Sequence, residues 1–327
     1  MRTTASRPGG GLADRLRLGG GDNRVDLLLF AAVAALVIVG PAALYPVLLM
    51  KAMCFAIFAS AFNLAAGYGG LLSFGHAAFF GSASYATAYG MKAWGLSPEV
   101  AIVFSMVVAG AVAFVFGALS IRRQGIYFAM VTLALSQIIY FFIYKSGWTG
   151  GDDGIHGVPR GALLGLVSLD DPVAIYAFVT VVFIATNLFV YRVIHSPFGR
   201  AVEAIRLNEA RAISLGYDAD RFKLAIFTIS GVLSGLGGAL LCLVLHFTAV
   251  NTVHWAMSGD VILMTLIGGL GTPFGPILGA FVLVTLDQYI ASLGSWVTVI
   301  RGLIFMFCVL AFREGIMGAI NRSLGRT

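Results

Sequence analysis

Long apolar runs, separated by short charged stretches, recur along the whole chain. A helix needs about 20 mostly apolar residues to cross about 30 Å of hydrocarbon. About ten segments approach that length, at 25–46, 48–66, 69–91, 98–119, 125–145, 173–193, 222–250, 255–270, 275–292 and 297–313. Because 59% of the residues are hydrophobic and 11% are charged, too little polar surface remains to cover a soluble globule. The sequence predicts an all-α, polytopic membrane helix bundle of about ten transmembrane helices.

Basic residues lie in the short stretches between apolar runs and at the two ends of the chain. Cytoplasmic loops carry an excess of Lys and Arg, so topology explains the net charge of +6 better than binding to nucleic acid does. Both termini are then cytoplasmic. The predicted regions are a mobile cytoplasmic tail at 1–24, a transmembrane domain at 25–313 with a cytoplasmic loop 191–223 and an extracytoplasmic loop 146–172, and a cytoplasmic tail at 314–327.

Two apolar segments contain residues that interrupt helices. The segment 69–91 contains Gly, Ser and His, and 255–292 contains a run of glycines and prolines, namely Gly268, Gly269, Gly271, Pro273, Gly275 and Pro276. Non-helical backbone is tolerated at membrane depth only where protein or a water-filled cavity satisfies it. Both segments are therefore predicted to be broken or re-entrant. Residues 271–276 are either a hinge in a pathway or a tight cytoplasmic turn.

Small residues recur at a spacing of four in two places, which allows helices to approach closely. One set is Gly271, Gly275 and Gly279; the other is Gly231 and Gly235, with Ser230, Ser234 and Gly238 beside them. Helix packing accounts for both sets, and contact with a transported molecule is the alternative.

Five polar residues lie within or near spans: Asn63, Ser73, His76, Thr132 and Gln137. Since an unpaired polar group in a membrane is costly, these side chains are predicted to face the bundle interior, where they bond to other helices or line a pathway. His76 has no second ligand at metal-binding spacing, so no metal site is predicted. Asp260, Asp287 and Arg301 are predicted near the outer ends of their helices.

The longest charged stretch between two spans is YRVIHSPFGRAVEAIRLNEARAISLGYDADRFK, residues 191–223. Apolar residues at helical spacing predict two short amphipathic helices with a kink between them. The apolar sets are Ala201, Ala204 and Ile205, then Ala212, Ile213 and Leu215 before Gly216. The polar face carries Arg200, Glu203, Arg206, Glu209 and Arg211. On periodicity alone, a solvated face is favoured over a docking face.

Glu209-Ala210-Arg211-Ala212, followed by Leu215-Gly216, resembles the motif by which ABC importer permeases engage their ATPase subunits. The longer stretch SPFGRAVEAIRLNEARAISLGYD resembles permeases of branched-chain amino acid importers of the LivM type. Further matching blocks are NLAAGYGGLLSFGHAAFFGSASY at 63–85, RRQGIYFAMVTLA at 122–134, WTGGDDGIHGVPR at 148–160 and IGGLGTPFGPILGA at 267–280. The resemblance covers residues 63–323.

The resemblance implies an inner-membrane importer assembled from this permease, a second related permease, two cytoplasmic ATPase subunits and an extracytoplasmic substrate-binding protein. The chain itself has no G-x-x-x-x-G-K-[ST] loop and no convergent catalytic set, so ATP hydrolysis is expected on another subunit and no cofactor is predicted. The residues implied for ATPase coupling are Pro197, Gly199, Arg200, Glu203, Arg206, Glu209, Ala210 and Gly216. Those implied for docking of the binding protein are Trp148, Asp152 and Asp153.

Two other functions stay open at this point. Permeases for urea or short amides have similar sequences. An ion-coupled secondary transporter would also have broken helices, but it would be expected to carry a carboxylate near the membrane midplane, where the sequence interpretation finds only neutral groups.

Overall fold

The structure, a computed structural model, describes residues 45–163, 165, 167–290, 299–300, 302–303, 306 and 315–318. The predicted spans 25–46 and 297–313 and the predicted tails 1–24 and 314–327 lie wholly or largely outside the described residues, as does Arg301.

Helices dominate the described part of the chain. They are α1 Pro46–Asn63, α2 His76–Ala93, α3 Pro98–Ser120, α4 Ile126–Lys145, α5 Pro172–His195, α6 Pro197–Leu207, α7 Glu209–Ser214, α8 Ala219–Leu245, α9 Trp255–Gly268 and α10 Gly275–Ile290. A π-helical turn, Leu64–Tyr68, continues α1, and short 3-10 turns lie at Gly147–Thr149 and Val250–Thr252. Proline at the first helical position starts α1, α3, α5 and α6, because its fixed φ suits that position.

Four two-residue strands lie in the loops after α4 and α8. Strand β1, Ile155–His156, pairs antiparallel with β4, Phe247–Thr248, so that Ile155 faces Thr248. Strand β2, Ala162–Leu163, pairs antiparallel with β3, Val167–Ser168. The pairing of β1 with β4 ties the loop 146–172 to the loop that precedes α9.

Among the described residues, five helical segments are long and apolar enough to cross a membrane: Pro46–Tyr68, α3, α4, α5 and α8. They confirm the predicted helices at 48–66, 98–119, 125–145 and 173–193. The predicted 222–250 is confirmed only in part, since α8 ends at Leu245 and His246 takes a left-handed conformation with φ 59°.

Two predicted spans need correction. The segment 69–91 is helical only from His76. Helix α9 has 14 residues, so at 1.5 Å per residue it is about 21 Å long, less than the hydrocarbon thickness. Helix α10 is described from Gly275 to Ile290. The described residues therefore show a helical bundle with broken segments, and they do not establish a count of ten spans.

Helices α1 and α8 form the centre of the bundle. In their most apolar stretches, 83% of the α1 residues and 78% of the α8 residues are buried, against 28% for α4. Helices α3, α4 and α5 lie outside them and expose apolar side chains such as Val107, Phe141 and Val181. This arrangement suits a chain whose outer helices contact lipid or another membrane subunit.

The bundle has two chemically different ends. We call the end with Arg122, Arg123, α6 and α7 the basic end, and the end with residues 146–172 and 246–254 the loop end. Helix α1 runs from the loop end to the basic end, and α8 runs back, since Lys223 near its start contacts Glu209 of α7.

Candidate functional site

Helices α2 and α9 both begin inside the bundle. The Nε2 atom of His76, the first residue of α2, lies 2.9 Å from the Oγ atom of Ser230, near the middle of α8. Ser258, in the first turn of α9, accepts a hydrogen bond from the N–H of Ala77 at 2.9 Å and donates one to the carbonyl of Phe74 at 2.7 Å. The two helix starts therefore meet at the middle depth of α8.

Side-chain hydroxyls satisfy the non-helical backbone that precedes α2. The Phe74 N–H donates to Thr132 Oγ1 of α4 at 3.2 Å, and the Gly75 N–H donates to Ser73 Oγ at 3.0 Å. The Phe74 carbonyl is satisfied by Ser258. Protein groups thus meet the requirement that irregular backbone at membrane depth be hydrogen-bonded.

His76 is enclosed by aromatic rings. The rings of Phe62, Phe79 and Phe227 approach it edge-on, with centroids 4.9, 5.3 and 5.7 Å away. Ser230 donates its own hydrogen to the Ala61 carbonyl at 2.5 Å, so His76 must donate from Nε2 to Ser230. His76 therefore joins α1, α2 and α8 at the level where α2 begins.

Asn63, the last residue of α1, holds the break between α9 and α10. Its Oδ1 accepts a hydrogen bond from the Gly271 N–H at 2.8 Å, and its Nδ2 donates to the Thr272 carbonyl at 2.9 Å. Asn63 is 1% exposed, and it gives a side-chain partner to one backbone group each of the half-buried Gly271 and Thr272. The break lies at the basic end, because Gly271 also lies against Gly67.

Glycines allow α9 and α10 to pack backbone against backbone. A Cβ atom added to Gly268 would lie 1.8 Å from the Gly275 carbonyl oxygen, and one added to Gly279 would lie 1.8 Å from the Met264 oxygen. Gly269 and Gly271 take positive φ of 122° and 80° in the turn between them. At this break the small residues therefore serve a close helix contact, as the packing interpretation expects.

One of the predicted polar residues lies outside this hydrogen-bond network, and another lies at a different depth from the predicted one. Gln137 lies half-buried on α4 and has no hydrogen bond to any described residue. Asp260 was predicted near the outer end of its helix. Since α9 begins inside the bundle, Asp260 instead lies half-buried in the second turn of α9, close to the level of Ser258.

Alanine at Gly279 is expected to destabilise the α9–α10 contact by about 1–3 kcal/mol, the usual cost of overpacking. Gly259→Ala on α9 is the matched control, because a Cβ there meets nothing within 4 Å. Alanine also favours a helix over glycine by about 1 kcal/mol. Thermal unfolding of the detergent-solubilised chain should show a lower midpoint for Gly279→Ala only. Equal midpoints for the two variants would contradict the close contact.

The predicted pair of short helices in 191–223 is confirmed as α6 and α7. Ser196 caps α6 by accepting from the Gly199 N–H at 3.2 Å, and Asn208 caps α7 by accepting from the Arg211 N–H at 3.0 Å. Asn208 therefore makes the kink. After α7 the chain turns at Gly216, whose φ is +91°.

The two amphipathic helices bury less apolar surface than predicted. Ala201, Ile205 and Ala212 are buried, but Ala204, Ile213 and Leu215 are exposed. Leu207, Ile213 and Leu215, near the ends of α6 and α7, are 79%, 55% and 71% exposed, and we call these three side chains the apolar ridge. The sequence interpretation placed Ile213 and Leu215 on the inner face and did not single out Leu207.

Two of the predicted coupling residues contact their own chain. Arg206 Nη1 donates to the carbonyl of Gly67 in the π-helical turn. Glu209 forms an ion pair with Lys223 at 2.6 Å and accepts a hydrogen bond from Gln124 at 3.0 Å. These contacts fasten α6 and α7 to the π-helical turn after α1, to the segment before α4 and to α8.

The other predicted coupling residues have different environments. Pro197 starts α6, and Gly199 is buried where a Cβ would lie 2.3 Å from the Ile194 oxygen. The remaining three, Arg200, Glu203 and Ala210, are exposed at the basic end.

At the loop end, the loop 146–172 is fixed to the helices. Arg160 donates from Nε and Nη2 to the carbonyls of Leu243 and Val244, the last turn of α8, at 3.0 and 2.9 Å. Partial burial lowers the pKa of Arg160, and the nearby Asp170 carboxylate opposes that shift. A cation at a helix C-terminus is favourable, so Arg160 anchors the loop.

The residues predicted to dock a binding protein lie on this loop. Trp148 is half-exposed, and its ring contacts Tyr89 at a centroid distance of 5.2 Å. Asp152 accepts a hydrogen bond from the Tyr144 hydroxyl at 3.1 Å, and the Asp153 carbonyl lies 2.6 Å from His156 Nε2. All three are at the loop end, distant in sequence from the apolar ridge.

The described residues form a bundle of apolar helices with internal helix breaks and a pair of short helices at its basic end, an arrangement that suits a polytopic membrane protein. The family model described as "Branched-chain amino acid transport system / permease component" matches residues 46–310. The chain belongs to this family.

Several relatives are themselves named permeases. The chain is 27% identical over 288 residues to the high-affinity branched-chain amino acid transport system permease protein LivM of Salmonella typhimurium, covering 81% of this chain and 68% of the relative. Escherichia coli LivM gives the same figures: 27% identity, 81% and 68% coverage. The ribose import permease protein RbsC of Bacillus subtilis is 32% identical over 127 residues, covering 36% of this chain and 39% of the relative. No solved structure is significantly similar.

Proposed function

We propose that this chain is the permease subunit of an ATP-driven importer that carries branched-chain amino acids across the inner membrane. The apolar ridge is the observation that carries this proposal. Exposed apolar clusters on a surface that faces water indicate a protein contact. The excess of Lys and Arg at the basic end supports a cytoplasmic position for α6 and α7. In that position the two helices could contact an ATPase subunit.

The apolar ridge is the proposed docking surface, with Arg200, Glu203 and Arg211 at its rim. Arg206 and Glu209 then position the surface instead of touching the partner. Each ATPase subunit would engage one permease, this chain or a second related one, and a binding protein would dock outside on the loop end near Trp148, Asp152 and Asp153.

A short path joins the docking surface to the helix breaks. Arg206 of α6 bonds to Gly67, which lies between Asn63 and the non-helical segment before α2. Asn63 in turn bonds to the break between α9 and α10. A displacement of α6 by the ATPase would therefore bias both breaks, and a pathway would shift between outward-open and inward-open states through differential contacts.

The relatives named LivM support the proposed substrate class, and the interior suits it. A branched-chain amino acid has an apolar side chain and a zwitterion that a few hydroxyls and helix starts can accommodate. Hydroxyls and two helix N-termini meet at the level of Ser230 and Ser258. Urea or a short amide is the alternative substrate.

The substrate proposal is tested with the full complex in proteoliposomes. ATP hydrolysis is expected to rise when binding protein loaded with leucine is added, and to stay at the basal rate with urea or acetamide. Stimulation by urea and not by leucine would replace the proposed substrate with the alternative.

A further inference from the structure

A cavity of about 640 Å³ opens at the basic end, beside the non-helical segment that precedes α2. Its walls are the non-helical segment 69–74, the start of α4, and parts of α6, α7 and α8. The coupling contacts of Arg206 and Glu209 form one side of it. Its volume is in the range of small-molecule sites.

Two arginines line this cavity without a carboxylate partner. Among the described residues, the ion pairs of the basic end are Arg221 with Asp218 and Lys223 with Glu209. Neither pair includes Arg123 or Arg206, which both line the cavity. Because Lys223 neutralises Glu209 at 2.6 Å, the cavity keeps an excess of positive charge. Guanidinium groups bind phosphate with paired, charge-assisted hydrogen bonds.

The rim of the cavity is apolar where it meets the outer surface of the bundle. Leu72 and Ile126 both line the cavity, and they are 43% and 71% exposed. The outward face of α4 continues with exposed Tyr127 and Met130. A ligand that fills this site would therefore combine an anionic group with a long apolar part.

We propose that the cavity binds the headgroup of an anionic phospholipid, with its phosphate at Arg123 and Arg206 and its acyl chains along Ile126 and Met130. Basic pockets between helices at the cytoplasmic surface are suited to such headgroups. A free phosphate would use the arginines but not the apolar rim. The lipid would rest against α6, and so would stabilise the segment that the ATPase engages. This lipid site requires that the chain lies in a bilayer, and it does not depend on which substrate the chain transports.

Binding of lipid to the full-length chain in neutral detergent, counted by native mass spectrometry, tests this proposal. Short-chain phosphatidylglycerol, phosphatidylcholine and inorganic phosphate are titrated separately. Phosphatidylglycerol is expected to bind more tightly than the other two. Arg123→Gln is expected to weaken it about fivefold, the effect of one basic residue near a membrane surface.

Arg122→Gln is the matched control. Arg122 is the neighbouring exposed arginine, and it lines a separate groove beside Asp220. The Arg122→Gln variant should leave the binding of phosphatidylglycerol unchanged. Equal weakening by both variants would show a general surface-charge effect and overturn the proposal. Equal binding of phosphatidylcholine, or inorganic phosphate binding as tightly as phosphatidylglycerol, would also overturn it. So would an Arg123→Gln chain that binds lipid normally but loses the ATPase subunits.

Discussion

Replacing Leu207 and Leu215 together with glutamate is expected to detach the ATPase subunits from this chain while the chain stays folded. The two side chains are 79% and 71% exposed, so the substitution removes little internal contact. In a docked complex, each new carboxylate would be buried against an apolar partner surface, which is strongly unfavourable. Co-purification of ATPase subunits is expected to fall at least about tenfold, and ATP-driven uptake should fall to background.

Leu207→Met with Leu215→Met is the control for this prediction, since it keeps an apolar surface at the same positions. The control should retain the ATPase subunits. If the glutamate variant also retains them, the partner contact lies elsewhere and the apolar ridge has another use.

Asn63→Leu is expected to be the most destabilising single substitution described here. Leucine has a similar size but makes neither hydrogen bond, so the Gly271 N–H and the Thr272 carbonyl lose their partner. An unsatisfied buried group costs about 1–3 kcal/mol, and here two half-buried backbone groups lose their side-chain partner. The unfolding midpoint should fall, and a cysteine placed at Thr272 should become more reactive to thiol reagents in the membrane.

Asn187→Leu provides the comparison for Asn63. Asn187 is also buried, but it bonds to the Ser60 hydroxyl and to the Phe183 carbonyl of its own helix. The Phe183 carbonyl also accepts the helical hydrogen bond of α5, and the Ser60 hydroxyl can turn to a carbonyl of its own helix, so the loss should be smaller. A variant at Asn63 no less stable than the one at Asn187 would mean that α1 does not hold the break.

Hydropathy predicted the long outer helices well because their environment is nearly uniform. Helices α3, α4 and α5 expose apolar side chains along most of their length, and each begins and ends at a clear polar boundary. The starts of α2 and α9 were not predictable in the same way. Their positions depend on hydrogen bonds between residues far apart in the sequence, such as those of Thr132 with Phe74 and of Ser258 with Phe74 and Ala77.

The candidate site was predicted in part. Asn63, Ser73, His76 and Thr132 were identified because polar residues in apolar spans need partners. Ser258 was missed, and Ser230 was interpreted as a small packing residue, although its hydroxyl bonds to both His76 and Ala61. The serine hydroxyls among the small residues of α8 were a sequence signal for hydrogen bonding, because close helix packing alone does not require them.

Periodicity predicted α6 and α7 but not which apolar residues they expose. An amphipathic pattern assigns every apolar residue to the protein interior. Ile213 and Leu215 follow the pattern and are nevertheless exposed. Periodicity does not distinguish an apolar face that packs inward from one that is exposed to a partner chain. The inward contacts of Arg206 and Glu209 are visible only in three dimensions.

The most direct test of the central proposal is uptake of radiolabelled leucine by proteoliposomes that contain the full complex and its binding protein. Uptake is predicted to require ATP on the side of α6 and α7 and to be insensitive to ionophores that collapse proton and sodium gradients. Uptake that needs no ATP, follows an ion gradient and is abolished by Asp260→Asn would contradict the proposal and indicate a secondary transporter.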